Sequence, residues 1–312
     1  MAFIKSPIFY MGNKYELLYN LMMYFPKKDD VNQFYDLFGG SGVVSINVPY
    51  KDVIYNEINH NVVELLKLFQ KYSANDIKDH IAKRIKEYDM PNESMDVRQP
   101  TFENAKFDKA QKAYLKFRSD YNKSDKDYKD LLTLTYFSFC NLMRFNSKSD
   151  FNMPFGNRCY LVDEHGVDID NFYNNFKSKN IRLVNMDAFD VLKSIKVNNG
   201  IFIYLDPPYT NTMAIYNESR AFGGWNKTHD ELLFKELDRL HKLGVKWAMS
   251  NVLENKGIKN THLELWANKN GYKIIDFENK QYSALGKGNA KTQEVLIINY
   301  TPPFEQFSIF DL

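Results

Sequence analysis

Short apolar runs recur at both ends of this 312-residue chain, most of them followed by a stretch of helical period. That alternation restricts the fold more than any other feature. Residues 33–38, 52–56, 181–185, 201–205, 245–249 and 295–300 read as strands. Between them, 59–71 carries apolar Val62, Val63, Leu65, Leu66, Leu68 and Phe69, and 229–243 places Leu232, Leu233, Leu237, Leu240 and Leu243 mostly on one side. Strands alternating with helices predict a largely parallel sheet covered on both faces.

The middle of the chain follows another pattern. From about 74 to 148 it is helical and charged, and no glycine occurs between Gly42 and Gly156. Residues 104–160 hold eleven Lys/Arg against six Asp, although the whole chain is only +2. Such an excess suits a surface facing phosphates, and equally a solvated helix face. The run 131–143 is interrupted by Thr133, Thr135, Ser138 and Asn141 and is too short to span a bilayer; 1–14 has no apolar stretch of signal-peptide length. Cys140 and Cys159 match neither a metal spacing nor a disulfide framework. The expectation is a soluble, cytoplasmic protein without a metal.

Two motifs carry chemistry. Asp36-Leu37-Phe38-Gly39-Gly40-Ser41-Gly42 closes a strand and opens a helix, and Glu57 follows the next strand about 20 residues on. Glycines in such a turn let the backbone approach a ligand, and the acid falls where ribose hydroxyls are held. This predicts an adenosyl cofactor without choosing between NAD and S-adenosylmethionine. Asp206-Pro207-Pro208-Tyr209 follows the apolar strand 201–205, at the sheet edge where open α/β folds bind ligands. An exocyclic amine on a purine is a poor nucleophile because its lone pair is delocalised into the ring. A carboxylate and a carbonyl preorganised between prolines can both accept its N–H bonds and free that lone pair. Tyr209 offers a face for stacking.

With Tyr10-Met11-Gly12-Asn13-Lys14, Ser250-Asn251-Val252, the stretch 139–146 (Phe-Cys-Asn-Leu-Met-Arg-Phe-Asn) and 151–156 (Phe-Asn-Met-Pro-Phe-Gly), these motifs resemble the Dam family of DNA adenine-N6 methyltransferases, especially its bacteriophage members. The resemblance implies a doubly wound α/β, Rossmann-like methyltransferase sheet using S-adenosylmethionine. It implies a discontinuous catalytic domain, 1–72 and 181–302, with a helical target-recognition domain at 73–180 inserted. Tyr10, Lys14, Phe38, Gly39, Gly40, Ser41, Glu57, Asp187 and Asp206 would line the cofactor site, Lys14 taking the methionyl carboxylate and Glu57 the ribose. Glu57 departs from the family's commoner Asp, and an N-cap role would explain Asp187 equally well. Asp206, Pro207, Pro208 and Tyr209 would act on a flipped-out adenine of duplex DNA. Arg144 would contact a guanine, Phe139 would wedge into the duplex, and Cys140, Leu142, Asn146, Pro154 and Arg158 would complete the DNA surface, with GATC the expected site. By periodicity alone, Phe139 and Leu142 close an apolar run and read as helix core.

Residues 303–312 form a tail after Thr301-Pro302-Pro303. Gln306, Phe307, Ile309 and Phe310 resemble the short peptide by which bacterial replication and repair proteins grip the sliding clamp. A tail folded onto its own domain is the alternative.

Overall fold

The computed structural model describes residues 3–91, 105–156, 159–210, 224–277 and 292–303. The chain forms two compact units: Met1–Tyr15, Gly40–Asn47 and His60–Ser178 make the first, and Glu16–Gly39, Val48–Asn59 and Lys179–Leu312 the second.

The second unit contains the sheet. Its strands are β1 (Gln33–Asp36), β2 (Asp52–Asn56), β3 (Asn180–Val184), β4 (Ile201–Leu205), β5 (Lys246–Asn255), β6 (Ile258–Lys259), β7 (Lys273–Asp276) and β8 (Thr292–Ile298). The order is β3-β2-β1-β4-β5-β8-β7, with β6 hairpinned onto β5. The pairs β3–β2, β2–β1, β1–β4 and β4–β5 are parallel, and β8 runs antiparallel to both β5 and β7. The expected mostly parallel α/β sheet is therefore present, with an antiparallel edge.

Alternation along β4 shows how the sheet is covered. Ile201, Ile203 and Leu205 join Trp247, Met249 and Ile297 under α8 (Ala188–Ser194), a helix over Lys227–Lys242 and another over Thr261–Lys269; Leu233, Leu237, Leu240 and Leu263 supply the helix side. Phe202 and Tyr204 point the other way, into rings from Phe25, Phe34, Tyr50 and Tyr300 at centroid distances of 4.9–6.0 Å. Phe25 follows α1 (Leu18–Tyr24). Each such aromatic pair adds about 0.5–1.5 kcal/mol beyond area burial.

The first unit is helical: α2 (Val43–Asn47), α3 (His60–Lys71), α4 (Ala74–Tyr88), α5 (Ala105–Lys123), α6 (Tyr128–Phe137) and α7 (Val167–Lys177). In chain order α8 follows, and the helices Lys227–Lys242 and Thr261–Lys269 are α9 and α10. Every residue from Asp130 to Phe137 is buried, as a helix apolar all round requires, and α6 packs on α3, α4 and α5. Buried Asp130 accepts His80 Nε2–H at 2.6 Å and a bidentate Arg84 pair at 2.7 and 3.0 Å. Burial would raise its pKa, but these bonds and the Arg84 charge outweigh it and hold the carboxyl below the usual range. The helix α3 belongs with the helical unit because its apolar face meets α6 and α7, Phe69 standing edge-on to Phe172 at 4.8 Å.

Candidate active site and recognition hairpin

In the second unit the strand ends are tied together by one side chain that the sequence did not single out. Asn56, at the end of β2, donates from Nδ2 to Leu37 O and Met186 O, both at 3.1 Å, and accepts the Met186 N–H at 3.1 Å. Leu37 N–H donates to Tyr204 O, and Gly39 N–H to Asn56 O. A Cβ at Gly39 would lie 2.1 Å from the Tyr55 ring, so only glycine fits there. Glu57 is buried and its Oε1 accepts the Asn59 N–H at 2.9 Å. Asp187 caps α8 by accepting the Phe189 N–H at 2.8 Å.

At the end of β4, Asp206 is half-buried and Pro207 and Tyr209 are buried. The Tyr209 hydroxyl lies 2.6 Å from Asp206 Oδ1 and 3.2 Å from Glu294 Oε1. Burial first, then the Asp206 and Glu294 charges, raise its pKa well above the phenol range, so it stays a donor. Neighbouring Tyr204 is raised by burial and by Asp206, Asp36 and Glu294, which marks this strand edge as carboxylate-rich. Its hydroxyl is 2.7 Å from Ser250 Oγ.

A second missed group clasps the chain beyond the motif. Buried Asp230, in the first turn of α9, accepts the Thr210 hydroxyl and, at 2.7 Å, the Trp225 indole N–H. Burial raises its pKa, against those two bonds. Trp225 stands edge-on to Phe38 at 5.6 Å and parallel to Phe189 at 6.0 Å, forming an aromatic wall beside Asp187. A polar residue at a helix start looks ordinary in sequence, so nothing there announces Asp230.

In the first unit the segment before Lys14 is pinned to the Gly40–Asn47 stretch. Asn47 exchanges two bonds with Ile4, and the Ser6 hydroxyl donates to Ser41 O at 2.6 Å. Gly40 has φ +49°, and a Cβ there would lie 2.9 Å from Tyr10, so these two predicted site residues are in contact. Lys14 is buried, with Nζ donating to Gly12 O at 2.9 Å.

The helix α6 stops before Phe139. Ser138 is extended, and both Cys140 and Asn141 take φ +55°. Left-handed backbone costs roughly 1–2 kcal/mol per non-glycine residue, less for Asn. Asn141 offsets this by capping α6, its Nδ2 donating to Thr135 O and Tyr136 O. The turn leaves Phe139 45% exposed, against its periodicity. Phe139 N–H donates to Pro154 O, and Gly156 N–H to Phe137 O.

Beyond it, 144–152 is a hairpin closed by the Phe145–Phe151 bridge. The side chain of Asn146 builds its turn, accepting from Lys148 N–H and Asp150 N–H and donating to the Asp150 carboxylate. The return strand is held by α5: Asn122 exchanges two bonds with Phe151, while Tyr114 and Arg118 both donate to Met153 O. Arg144, Asn146 and Pro154 are exposed, Leu142 and Cys140 partly so. Arg158 and the tail residues Gln306, Phe307, Ile309 and Phe310 lie outside the described residues. Among the described residues no His/Cys/Asp/Glu group could hold a metal, and no helix is long and apolar enough to cross a membrane.

Comparison with known proteins bears on both regions. Residues 10–281 match the family described as D12 class N6 adenine-specific DNA methyltransferase. The chain is similar to the modification methylase StsI of Streptococcus sanguinis, 34% identical over 310 residues, covering 96% of this chain and 43% of that protein. It is 33% identical over 303 residues to the type II methyltransferase M.FokI of Planomicrobium okeanokoites, with the same coverage of 96% and 43%. A DNA adenine methylase of Vibrio cholerae is 24% identical over 307 residues, 96% of each chain. The chain thus spans less than half the length of the first two relatives. By the family match and these identities, the chain belongs to the D12 class of N6 adenine-specific DNA methyltransferases.

Proposed function

We propose that the chain methylates N6 of an adenine in duplex DNA, using S-adenosylmethionine and turning the target base out of the stack. The observation that carries this reading is the Asp206 carboxylate at the end of the central strand β4, bonded to Tyr209 on an edge shared with Asp36 and Glu294. Bound S-adenosylmethionine supplies a methyl group on a cationic sulfonium, and a carboxylate-rich edge suits that charge. Glu57 would hold the ribose and Asp187 the adenine; the roles of Phe38, Gly39, Gly40, Ser41, Lys14 and Tyr10 follow from their motifs. Asp206 and the carbonyl held between Pro207 and Pro208 would accept hydrogen bonds from the two N6–H groups. With its lone pair freed in this way, the nitrogen would take the methyl group that the sulfonium gives up, and one N6 proton would pass to solvent. Turning the base out costs a few kcal/mol, which the Asp206 bonds and stacking on Tyr209 would offset.

Helical residues 73–180 would read the target, with Phe139 as the wedge, Arg144 and Arg158 on guanines, and Cys140, Leu142, Asn146 and Pro154 beside them. On these residues the site is GATC, and kinship with the bacteriophage branch rests on the same motifs. A second reading, a modification enzyme of a restriction–modification pair with its own target, is favoured by the higher identity to type II methylases than to the DNA adenine methylase. Expressing the chain alone in cells without adenine methylation and sequencing the modified bases separates the two. Methyl groups on every GATC support the first, methyl groups confined to another sequence the second, and none at all overturns both. The tail would bind a sliding clamp through Gln306, Phe307, Ile309 and Phe310. A labelled 303–312 peptide that stays unbound at about 100 μM purified clamp in fluorescence polarisation removes that partner.

A further inference from the structure

The recognition hairpin holds its arginine in a particular way. Arg144 Nε–H donates to Asn152 Oδ1 at 2.9 Å, and Nη2–H donates to Asn152 O at 3.2 Å. The Asn152 N–H closes the set by donating to Arg144 O at 2.9 Å. Because Nε–H can only donate, the Asn152 amide must turn its oxygen toward Arg144. A guanidinium has five N–H groups in a planar fork. Asn152 occupies the two along the Nε/Nη2 edge, which leaves the Nη1/Nη2 edge, two parallel donors, not taken by Asn152. That is the edge able to make a paired contact with guanine O6 and N7.

Asn152 is itself not free to move. Its neighbours Phe151 and Met153 are gripped by Asn122, Tyr114 and Arg118 of α5. The helix α5 therefore holds the backbone on both sides of the residue that bonds Arg144. A long arginine side chain ordinarily loses rotamer freedom when it binds; here that freedom is already given up in the free protein.

We propose that Asn152 is a positioning residue for target specificity: it selects which edge of Arg144 meets the base. This rests on the reading that Arg144 contacts a guanine. It does not require Asn152 to touch DNA.

The test compares Asn152→Leu, a near-isostere without an acceptor, with Asn152→Asp, which keeps one, and with Arg144→Ala. Methylation rates are measured on the cognate duplex and on duplexes in which each target guanine is replaced by 7-deazaguanine or another base. Asn152→Leu is expected to lower discrimination at one guanine by about tenfold, part of what a paired contact can supply, because the backbone bond from Asn152 O remains. Asn152→Asp should keep discrimination within about twofold of wild type, since a carboxylate accepts the Nε–H at least as well. In an Arg144→Ala background, Asn152→Leu should cause no further loss. If Arg144→Ala loses discrimination while Asn152→Leu keeps it, the positioning role is overturned and base reading by Arg144 stands. If Asn152→Leu slows all duplexes equally, or fails to fold while Asn152→Asp folds but does not discriminate, the role is overturned as well. If Arg144→Ala itself keeps full discrimination, the underlying reading fails and the proposal falls with it.

Discussion

The segments 206–209 and 139–152 are both irregular, and both carry motif side chains, but they are held in opposite ways. The first inherits its position from β4, a fully buried strand paired in parallel on both sides. Within it, the Tyr209 hydroxyl lies against Asp206 and Glu294. The second does not continue from a sheet strand. It is built by side chains bonding backbone: Asn141 on the end of α6, Asn146 in the turn, and Asn122, Tyr114 and Arg118 on the return strand. A strand end fixes reacting atoms with little freedom, as chemistry sensitive to displacements of about 1 Å demands. A side-chain-built hairpin leaves its outward residues open to replacement without disturbing β4.

The largest effect should come from the catalytic side. Asp206→Ala removes the acceptor proposed for N6 while the Tyr209 hydroxyl keeps Glu294 at 3.2 Å, so folding should survive. Tritiated-methyl incorporation should fall by about 10²–10³-fold or more, the scale set by losing one preorganised polar contact to the reacting centre. Activity within about tenfold of wild type, with an unchanged circular dichroism spectrum, would remove Asp206 from the chemistry.

The hairpin side should break by sterics. A Cβ at Gly156 would lie 2.2 Å from Ser138 O and 2.7 Å from Phe139 Cα, both backbone atoms that cannot rotate away. Gly156→Ala should cost about 1–3 kcal/mol in urea unfolding and displace Phe139. Discrimination between target sequences should suffer with it. An unchanged midpoint would mean that the turn at Cys140 and Asn141 yields easily, contrary to its network of caps.

How far the sequence could be read follows the same division. The inner strands β1, β2, β4, β5 and β8 were legible because burial on both faces demands continuous apolar runs, as in Ile201–Leu205; the half-exposed edge strand β3 was legible only from its Ile181, Leu183 and Val184. The edge strands β6 and β7 were not, being short and exposed or half-exposed, with no pattern to separate them from loop. Asp206–Tyr209 was legible as a motif after a strand. Asn56, Asp230 and Asn152 were not, because each acts through bonds to chain that no periodicity links to it: Asn56 reaches Met186 across 130 residues. Phe139 sits between these cases. Its spacing continues the apolar run of α6, but extended Ser138 ends the helix before it and the left-handed pair follows, leaving it exposed.

A smaller effect concerns charge on the recognition side. Lys112, Lys116 and Lys123 are exposed along α5. Replacing Lys116 or Lys123 by Ala should weaken DNA binding equally for cognate and unrelated duplexes, and lower the slope of log K against log salt by about one. A loss confined to the cognate duplex would move these lysines from phosphate contact to base reading.

The smallest effect is a pH dependence of the helical unit, and it should leave the sheet untouched. His165 lies among the rings of Tyr136 at 4.9 Å, Tyr160 at 5.6 Å and Phe9 at 6.3 Å. Its Nδ1 accepts the Leu161 N–H at 2.8 Å, a bond that the imidazolium cannot keep. Burial lowers its pKa, helped by the Lys5 charge and opposed by Glu164 and Asp168. The native state therefore binds fewer protons than the unfolded chain below the free-histidine pKa of about 6.5. Its contribution is complete above that pH and is lost as pH falls through the lowered native value. Asp168, whose pKa burial raises, acts in the opposite sense, and only over the carboxylate range that begins at its unfolded pKa of about 3.9. Thermal melts of wild type and His165→Gln between pH 5 and 8 should show a midpoint that drops below pH 6.5 in the wild type and stays flatter in the variant. Parallel curves would mean that His165 titrates alike in both states, and the rings around it would then be packing without electrostatic consequence.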